Sequence, residues 1–209
     1  MIPLCLAVMA LAAPLAMLVL DTRIVVPGRL PAGWRMKVNH GTPDVAVIDD
    51  PRGRVLRLRS RANSFGIERE LDVDSQRFPY LVWQWKVSEL PRGGDVRHYS
   101  TDDQAAQLLI AFDERHMLSY IWDSTAPKGD LESESPFPLV HVFALVCRSG
   151  AGDLNQWISE TRNVAEDYER AFGHKLSAHV KGIRLQINSQ HTGTSAEGYF
   201  GDIAFRATP

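Results

Sequence analysis

The chain has 209 residues, 44% of them hydrophobic and 23% charged, with 25 acidic against 23 basic side chains and a formal net charge of -2. That balance excludes a general nucleic-acid binder, which carries a basic excess. A chain of this length buries roughly 70% of its unfolded surface without disulfides or a metal, and its two cysteines, Cys5 and Cys147, offer no cysteine-based zinc spacing.

Residues 1–20, MIPLCLAVMALAAPLAMLVL, carry no charge. Pro14 and the small residues Ala10, Ala12 and Ala13 make this run read as a secretory leader rather than a membrane span. The expected division is a leader over 1–17 and one domain over 18–209, exported, touching a membrane only through the N-terminal segment where that is uncleaved. A leader's basic n-region is missing, so a second reading makes Leu18-Val19-Leu20 the first strand behind a mis-assigned start. With the leader removed, Cys147 is a single thiol inside an apolar run and reads as a small buried hydrophobe.

Short β segments joined by turns follow. Pro27-Gly28 and Pro31-Ala32-Gly33 punctuate a surface stretch ending at Trp34. Val45 to Ile48 is a predicted strand closed by the turn Asp49-Asp50-Pro51-Arg52-Gly53. In 54–60 Leu56 and Leu58 face inward while Arg57 and Arg59 face outward, and Phe65 to Leu71 makes another strand. Residues 80–87 point Leu81, Trp83, Trp85 and Val87 one way and Tyr80, Val82, Gln84 and Lys86 the other. A second run sets Leu108, Ile110 and Phe112 against Gln107, Leu109 and Ala111. Between these two runs Pro91, Gly93 and Gly94 break the strand, and a polar loop from Asp95 to Gln104 follows. Strands are also expected at 118–122, 139–147, 157–161, 180–188 and 198–206, with a long surface crossover from Ser124 to Pro138. About ten short strands at this spacing predict an all-β, antiparallel, jelly-roll-like sandwich.

One helix is specified, over 163–172. Asn163 is the N-cap, Glu166 completes a capping box, and Gly173 is the residue beyond the C-terminus. Helical spacing turns Val164, Tyr168, Ala171 and Phe172 inward and Asp167, Glu169 and Arg170 to solvent.

These residues resemble a bacterial family of uncharacterised proteins, domain of unknown function 3047. The resemblance rests on Trp83-Gln84-Trp85-Lys86-Val87, on Thr101 to Leu108, and on Tyr120-Ile121-Trp122-Asp123 followed by Ala126-Pro127-Lys128-Gly129. It continues through Trp157 to Asp167 and ends with Tyr199 to Phe205. It covers nearly everything after about residue 18 and implies no activity. The chain departs from the pattern at Gln186-Ile187-Asn188-Ser189, where an acidic cluster is expected, so a cation bound there by relatives would bind more weakly here. The closing strand, aromatic-x-Asp-Ile-x-Phe, also resembles that of galactose-binding-like jelly-roll domains. That likeness implies a structural calcium at Asp202; the alternative is an Asp that caps a turn at the sheet edge.

The strand parities collect Gln84, Lys86, Gln107, Arg184, Gln186, Asn188, Arg57 and Arg59 opposite the apolar side chains. Such a face either hydrogen-bonds a polyhydroxylated or anionic ligand or is simply a solvated outer face. The candidate ligand-binding residues are Lys86, Asp95, Arg97, Asp102, Asp103, Gln104, Gln107, Asp123 and Arg162, expected to converge at one end of the sheet. Three functions fit: a non-catalytic envelope module holding a glycan or similar polar ligand, a glycoside hydrolase or polysaccharide lyase using loop carboxylates, or a structural or partner-binding domain. Buried ion pairs such as Asp102 with Arg162 would serve the third. Trp83 and Trp85 read as core. Trp122, beside Asp123, is a core residue or a ligand contact. The seven histidines show no metal spacing.

Overall fold

The computed structural model describes residues 15–134, 139–177 and 179–209. Most of the leader expectation, and the end of the Ser124–Pro138 crossover, lie outside the described residues. The strands are β1 (Ala16–Leu20), β2 (Arg35–His40), β3 (Val45–Asp50), β4 (Gly53–Arg61), β5 (Ser64–Val73), β6 (Tyr80–Glu89) and β7 (Ala106–Ala111). They continue as β8 (His116–Asp123), β9 (Leu131–Ser133), β10 (His141–Ser149), β11 (Ile158–Asn163), β12 (Val180–Asn188) and β13 (Ser195–Arg206), with helix α1 (Val164–Phe172) between β11 and β12. Sheet A runs β11-β6-β13-β4-β3, with β1 also on β13; sheet B runs β2-β5-β12-β7-β8-β10-β9.

The alternation read in the sequence packs the two sheets face to face. Leu81, Trp83, Trp85 and Val87 of sheet A meet Leu108, Ile110, Tyr120, Ile183, Leu185 and Ile187 of sheet B, all at most 2% exposed. Trp83 and Trp85 make an edge-on pair, and Trp85 continues to Trp122, whose ring is fully buried. Trp122 donates its indole N–H to the Gly150 carbonyl and is core. Cys147 is buried, and burial pushes its thiol pKa well up, which keeps it an inert thiol.

Three features differ from the sequence reading. β8 and β10 pair in parallel, because the segment after Asp123 crosses back to the end where β8 began, a connection antiparallel hairpins do not need. β2 went unpredicted: every one of its residues is exposed, so the alternation of Met36 and Val38 along this edge strand marks no buried face. β1 begins at Ala16, paired with Arg206, so the strand takes in the last two residues assigned to the leader.

The helix forms as capped. The Asn163 side chain accepts from the Ala165 and Glu166 N–H groups, its amide donates to Glu166 Oε1 at 2.8 Å, and Gly173 closes the helix at φ 75°. Asp167, expected in solvent, is buried. Its carboxylate accepts from the Arg162 guanidinium on β11 and from the Tyr120 hydroxyl at 3.0 Å, and these two donors outweigh the helical spacing that pointed it outward.

Candidate functional site

The decisive step is the course of 90–105. β6 and β7 lie in different sheets, so this loop carries the chain from one layer to the other. The polar positions that alternation had placed on one face are therefore divided. Gln84, Lys86, Arg57 and Arg59 lie on the outer face of sheet A; Gln107, Arg184 and Gln186 lie on the outer face of sheet B, with Asn188 at its loop end.

The nine candidate residues separate the same way. Lys86 Nζ sits 2.8 Å from Asp50 on sheet A, between the rings of Trp157 and Tyr199. Arg162 is taken by Asp167, and its pairing there, against the pull of burial, holds its pKa above the usual arginine value. Neither reaches the loop, and Asp102 does not pair with Arg162. The other seven do gather at one end of sheet B. Asp95 is clamped by Arg97, through its backbone N–H at 3.1 Å and its guanidinium at 2.7–2.8 Å, and that pairing holds the carboxyl well below the ordinary carboxylate range. Asp103, fully buried, accepts from the His191 and Thr192 amides. Asp123, also fully buried, accepts from Val96, Thr125 and Ala126 at 2.7–2.9 Å. These two carboxylates satisfy backbone donors and fix the loop. A mixed-charge pocket made of all nine is therefore absent.

Beside that fixed loop the outer face of sheet B is open. Register aligns Arg35 of β2, Glu68 of β5, Arg184 of β12 and Leu109 of β7 in one row, with Gly182, Ala111 and Met117 in the next. The apolar side chains Leu109, Ala111 and Met117, with Gly182, line a groove of about 160 Å³. One wall is the Glu68 carboxylate bridging Arg35 at 2.9 Å and Arg184 at 2.7 Å. Burial works to raise the Glu68 pKa, but the two guanidinium groups outweigh it and hold it down.

On the loop side a row of carboxamides crosses the sheet. Asn39 donates to Gln186 at 3.4 Å, Gln186 to Gln107 at 3.2 Å, and Gln107 to Gln104 and Asn188 at 2.6 Å each; Gln104 donates to Asp102 at 2.7 Å. The inner members Gln104, Gln107 and Asn188 are buried, while Asn39 is exposed and Gln186 half-exposed. Gln186 and Asn188, where the chain departs from the acidic pattern of its resemblance, thus stand in the middle of this row. Beyond it Tyr99, 84% exposed, lies 5.1 Å from the His191 ring. Burial raises the Asp102 pKa, and burial with the nearby charges of Asp102 and Asp123 pushes Glu134 well above the carboxylate range.

Asp202 accepts from the Thr22 N–H and hydroxyl, both at 2.8 Å, and ties the last strand to the N-terminal turn. Among the described residues no three His, Cys, Asp or Glu side chains are placed to hold a metal ion. Sequence reasoning missed Arg35, Asn39, Glu68, the groove floor and Glu134. Glu68 and Arg184 alternate with apolar neighbours and could have been marked as outward. Their partnership depends on register, which one sequence does not print.

The family described as Protein of unknown function (DUF3047) matches residues 32–204. The chain belongs to that family. No curated protein matches it in sequence. Among solved structures, the xyloglucanase domain of NopAA, a type three effector from Sinorhizobium fredii, in complex with cellobiose, superposes with a TM-score of 0.52 at 9% identity, covering 84% of this chain and 94% of that one. The Family 11 carbohydrate-binding module of Lic26A-Cel5E from Clostridium thermocellum gives 0.48 at 9%, covering 93% and 96%. The CBM22-1 xylan-binding domain of Paenibacillus barcinonensis Xyn10C gives 0.45 at 9%, covering 95% and 99%. At such identities the first of these supports the jelly-roll fold and nothing finer. Among the described residues of this DUF3047 chain, no helix is long and apolar enough to cross a membrane.

Proposed function

We propose that this DUF3047 protein is a non-catalytic glycan-binding module whose ligand lies in the groove on the outer face of sheet B. The observation that carries the proposal is the pairing of an apolar floor with the Arg35–Glu68–Arg184 wall, held in place before any ligand arrives, and with the carboxamide row beyond that wall. Sugar rings present a C–H face and a rim of hydroxyls. Leu109, Ala111 and Met117 suit the face, while Arg35, Arg184, Gln186 and Asn39 offer donors and acceptors to the rim. Because Gln107, Gln104 and Asn188 lock Gln186 from behind, little side-chain freedom is lost on binding. The uncharged run 1–17 supports placing the module in the periplasm or otherwise outside the cytoplasm.

Binding to soluble glucans, xylans and uronate polysaccharides, measured by affinity electrophoresis, tests the reading. The protein is expected to be retarded by at least one of them, and Arg184→Ala and Gln186→Ala to weaken that binding about tenfold. Retardation by none, or binding untouched by both substitutions, would overturn it.

A second reading has its own observation. Asp102 and Glu134 both carry carboxyls pushed toward the protonated form by burial, and glycoside cleavage uses a protonated carboxyl as the acid with a second as base or nucleophile. Release of reducing ends from a bound polysaccharide, abolished by Asp102→Asn with binding kept, would move the enzyme ahead of the binding module.

A further inference from the structure

Of the five tryptophans, Trp34, Trp83, Trp85 and Trp122 are buried, at 7% exposed or less. Trp157 is half-exposed. It stands at the start of β11, over the outer face of sheet A, on the side of the molecule away from the groove. Its indole N–H donates to Asp50 at 3.2 Å, and the Lys86 ammonium, itself ion-paired to Asp50, lies 5.1 Å from the ring centroid. The Lys86 and Asp50 side chains are 17% and 7% exposed. Trp157 is thus held by a nearly buried ion pair, and its orientation is fixed.

The ring borders a cavity of about 170 Å³ that also touches Thr22, Arg52, Gln84, Gly201 and Asp202. Gly201 leaves room there. A Cβ at that position would come within 3.2 Å of Gln84 and 3.6 Å of the Trp157 ring, so a side chain would fill the space beside the indole. Asp202, the acid of the cavity, is turned to Thr22. Two of the three cations around the cavity are committed: Arg23 is paired to Asp21 at 2.7 Å, and Arg54 donates to the Val25 carbonyl at 2.9 Å. Arg52 differs. It is exposed, its guanidinium lies 5.5 Å from the Trp157 ring centroid and 3.4 Å from the Gln84 amide oxygen, and among the described residues it forms no ion pair.

We propose that Trp157, Arg52 and Gln84 form a second binding site, on sheet A, for a single anionic sugar residue of the uronic acid class. The indole supplies the stacking surface for the C–H face of the pyranose. Arg52, carried on the β3–β4 turn, presents a planar fork that matches a carboxylate with two parallel hydrogen bonds. Gln84 reads a hydroxyl from below. The cavity lies under the roughly 300–1,000 Å³ typical of sites that enclose a drug-sized ligand, so it takes one ring or a chain end. A protein with both sites engages one polysaccharide on two faces, or bridges two.

Titration of the full chain with sodium glucuronate and galacturonate, with glucose and galactose as uncharged counterparts, tests this through tryptophan fluorescence. Trp157 is the one partly exposed indole, so binding is expected to change its emission. The uronates are expected to bind at least about tenfold more tightly than the neutral sugars, the worth of one charge-assisted contact. Arg52→Gln, at an exposed position, is expected to abolish that preference and Trp157→Ala to remove the signal. No emission change with either uronate, equal response to charged and neutral sugars, or full binding by Arg52→Gln would overturn the proposal. None of these results bears on the groove of sheet B.

Discussion

The two outer faces of this sandwich have similar sequences and different fates. On sheet A the polar side chains are mostly closed into pairs: Lys86 on Asp50, Arg57 and Arg59 on Asp44 at 2.7–2.9 Å, and Glu197 accepting from Ser88 and Tyr199. On sheet B the Arg35–Glu68–Arg184 pairs form one wall, and beside it Leu109, Ala111, Met117 and Gly182 line a groove. The difference comes from side-chain size at register-matched positions. Tyr199 and Trp157 rise over sheet A, whereas Gly182, Ala111 and Leu109 keep sheet B low. Alternation thus selects which residues leave the core. What leaves the core opens a groove across the sheet where its neighbours include Gly182 and Ala111.

Breaking the layer between the two faces has the largest expected effect. Trp85 is fully buried between them, and Trp85→Ala should cost about 3–5 kcal/mol by lost packing and the cavity left behind. Chemical denaturation measures it, and a loss under 1 kcal/mol or so would mean that the core is not built as described.

The loop that separates the faces comes next. Asp123 caps three N–H groups, those of Val96 and Ala126 in buried residues. Asp123→Ala should therefore cost about 3 kcal/mol, while Arg97→Ala, whose side chain is 39% exposed, costs under about 1 kcal/mol. Equal losses would show that the loop is held by its surface ion pair rather than by its buried carboxylates.

Helix α1 offers a smaller and cleaner test of local reading. Asn163→Ala removes the acceptor for two helical N–H groups and should cost about 1 kcal/mol, again by denaturation. No measurable loss would pass the role to the Arg162–Asp167 pair.

The smallest effect is one of sign. The Glu134 pKa is pushed up by burial and by neighbouring carboxylates, so across the window from its ordinary value of 4.5 to its raised one the native state holds more protons than the unfolded chain. Stability from this group is present at low pH and falls as pH rises through that window. Glu134→Gln should therefore stabilise the protein at neutral pH, and that gain should shrink as pH falls below the ordinary carboxylate range. A gain independent of pH would assign the effect to packing.

How much of this was legible depends on what each feature requires. The core face of β6, the cap at Asn163 and the burial of Cys147 follow from local pattern and were readable. So was the polar loop at 95–104, although Asp103 within it and Asp123 at the end of β8 turn inward to backbone amides, a use that charge density alone does not reveal. The division of Lys86 from Gln107 was not readable, because a loop joining two strands of one sheet and a loop joining two sheets have the same composition. The inward turn of Asp167 depends on Arg162 and Tyr120 meeting across β11 and β8. The groove itself depends on Gly182 facing Ala111, which is a matter of register.

The central claim, that a polysaccharide lies along the outer face of sheet B, is tested most directly by following backbone and side-chain amide resonances of the labelled protein during titration with soluble oligosaccharides. Shifts are expected to concentrate on the Gln186 and Asn39 side-chain amides and on the backbone of Arg184, Leu109 and Met117, with Asp103 and Asp123 and the amides they cap unmoved. Shifts that cluster on the 95–104 loop instead, or that appear nowhere on sheet B with any oligosaccharide, would contradict it.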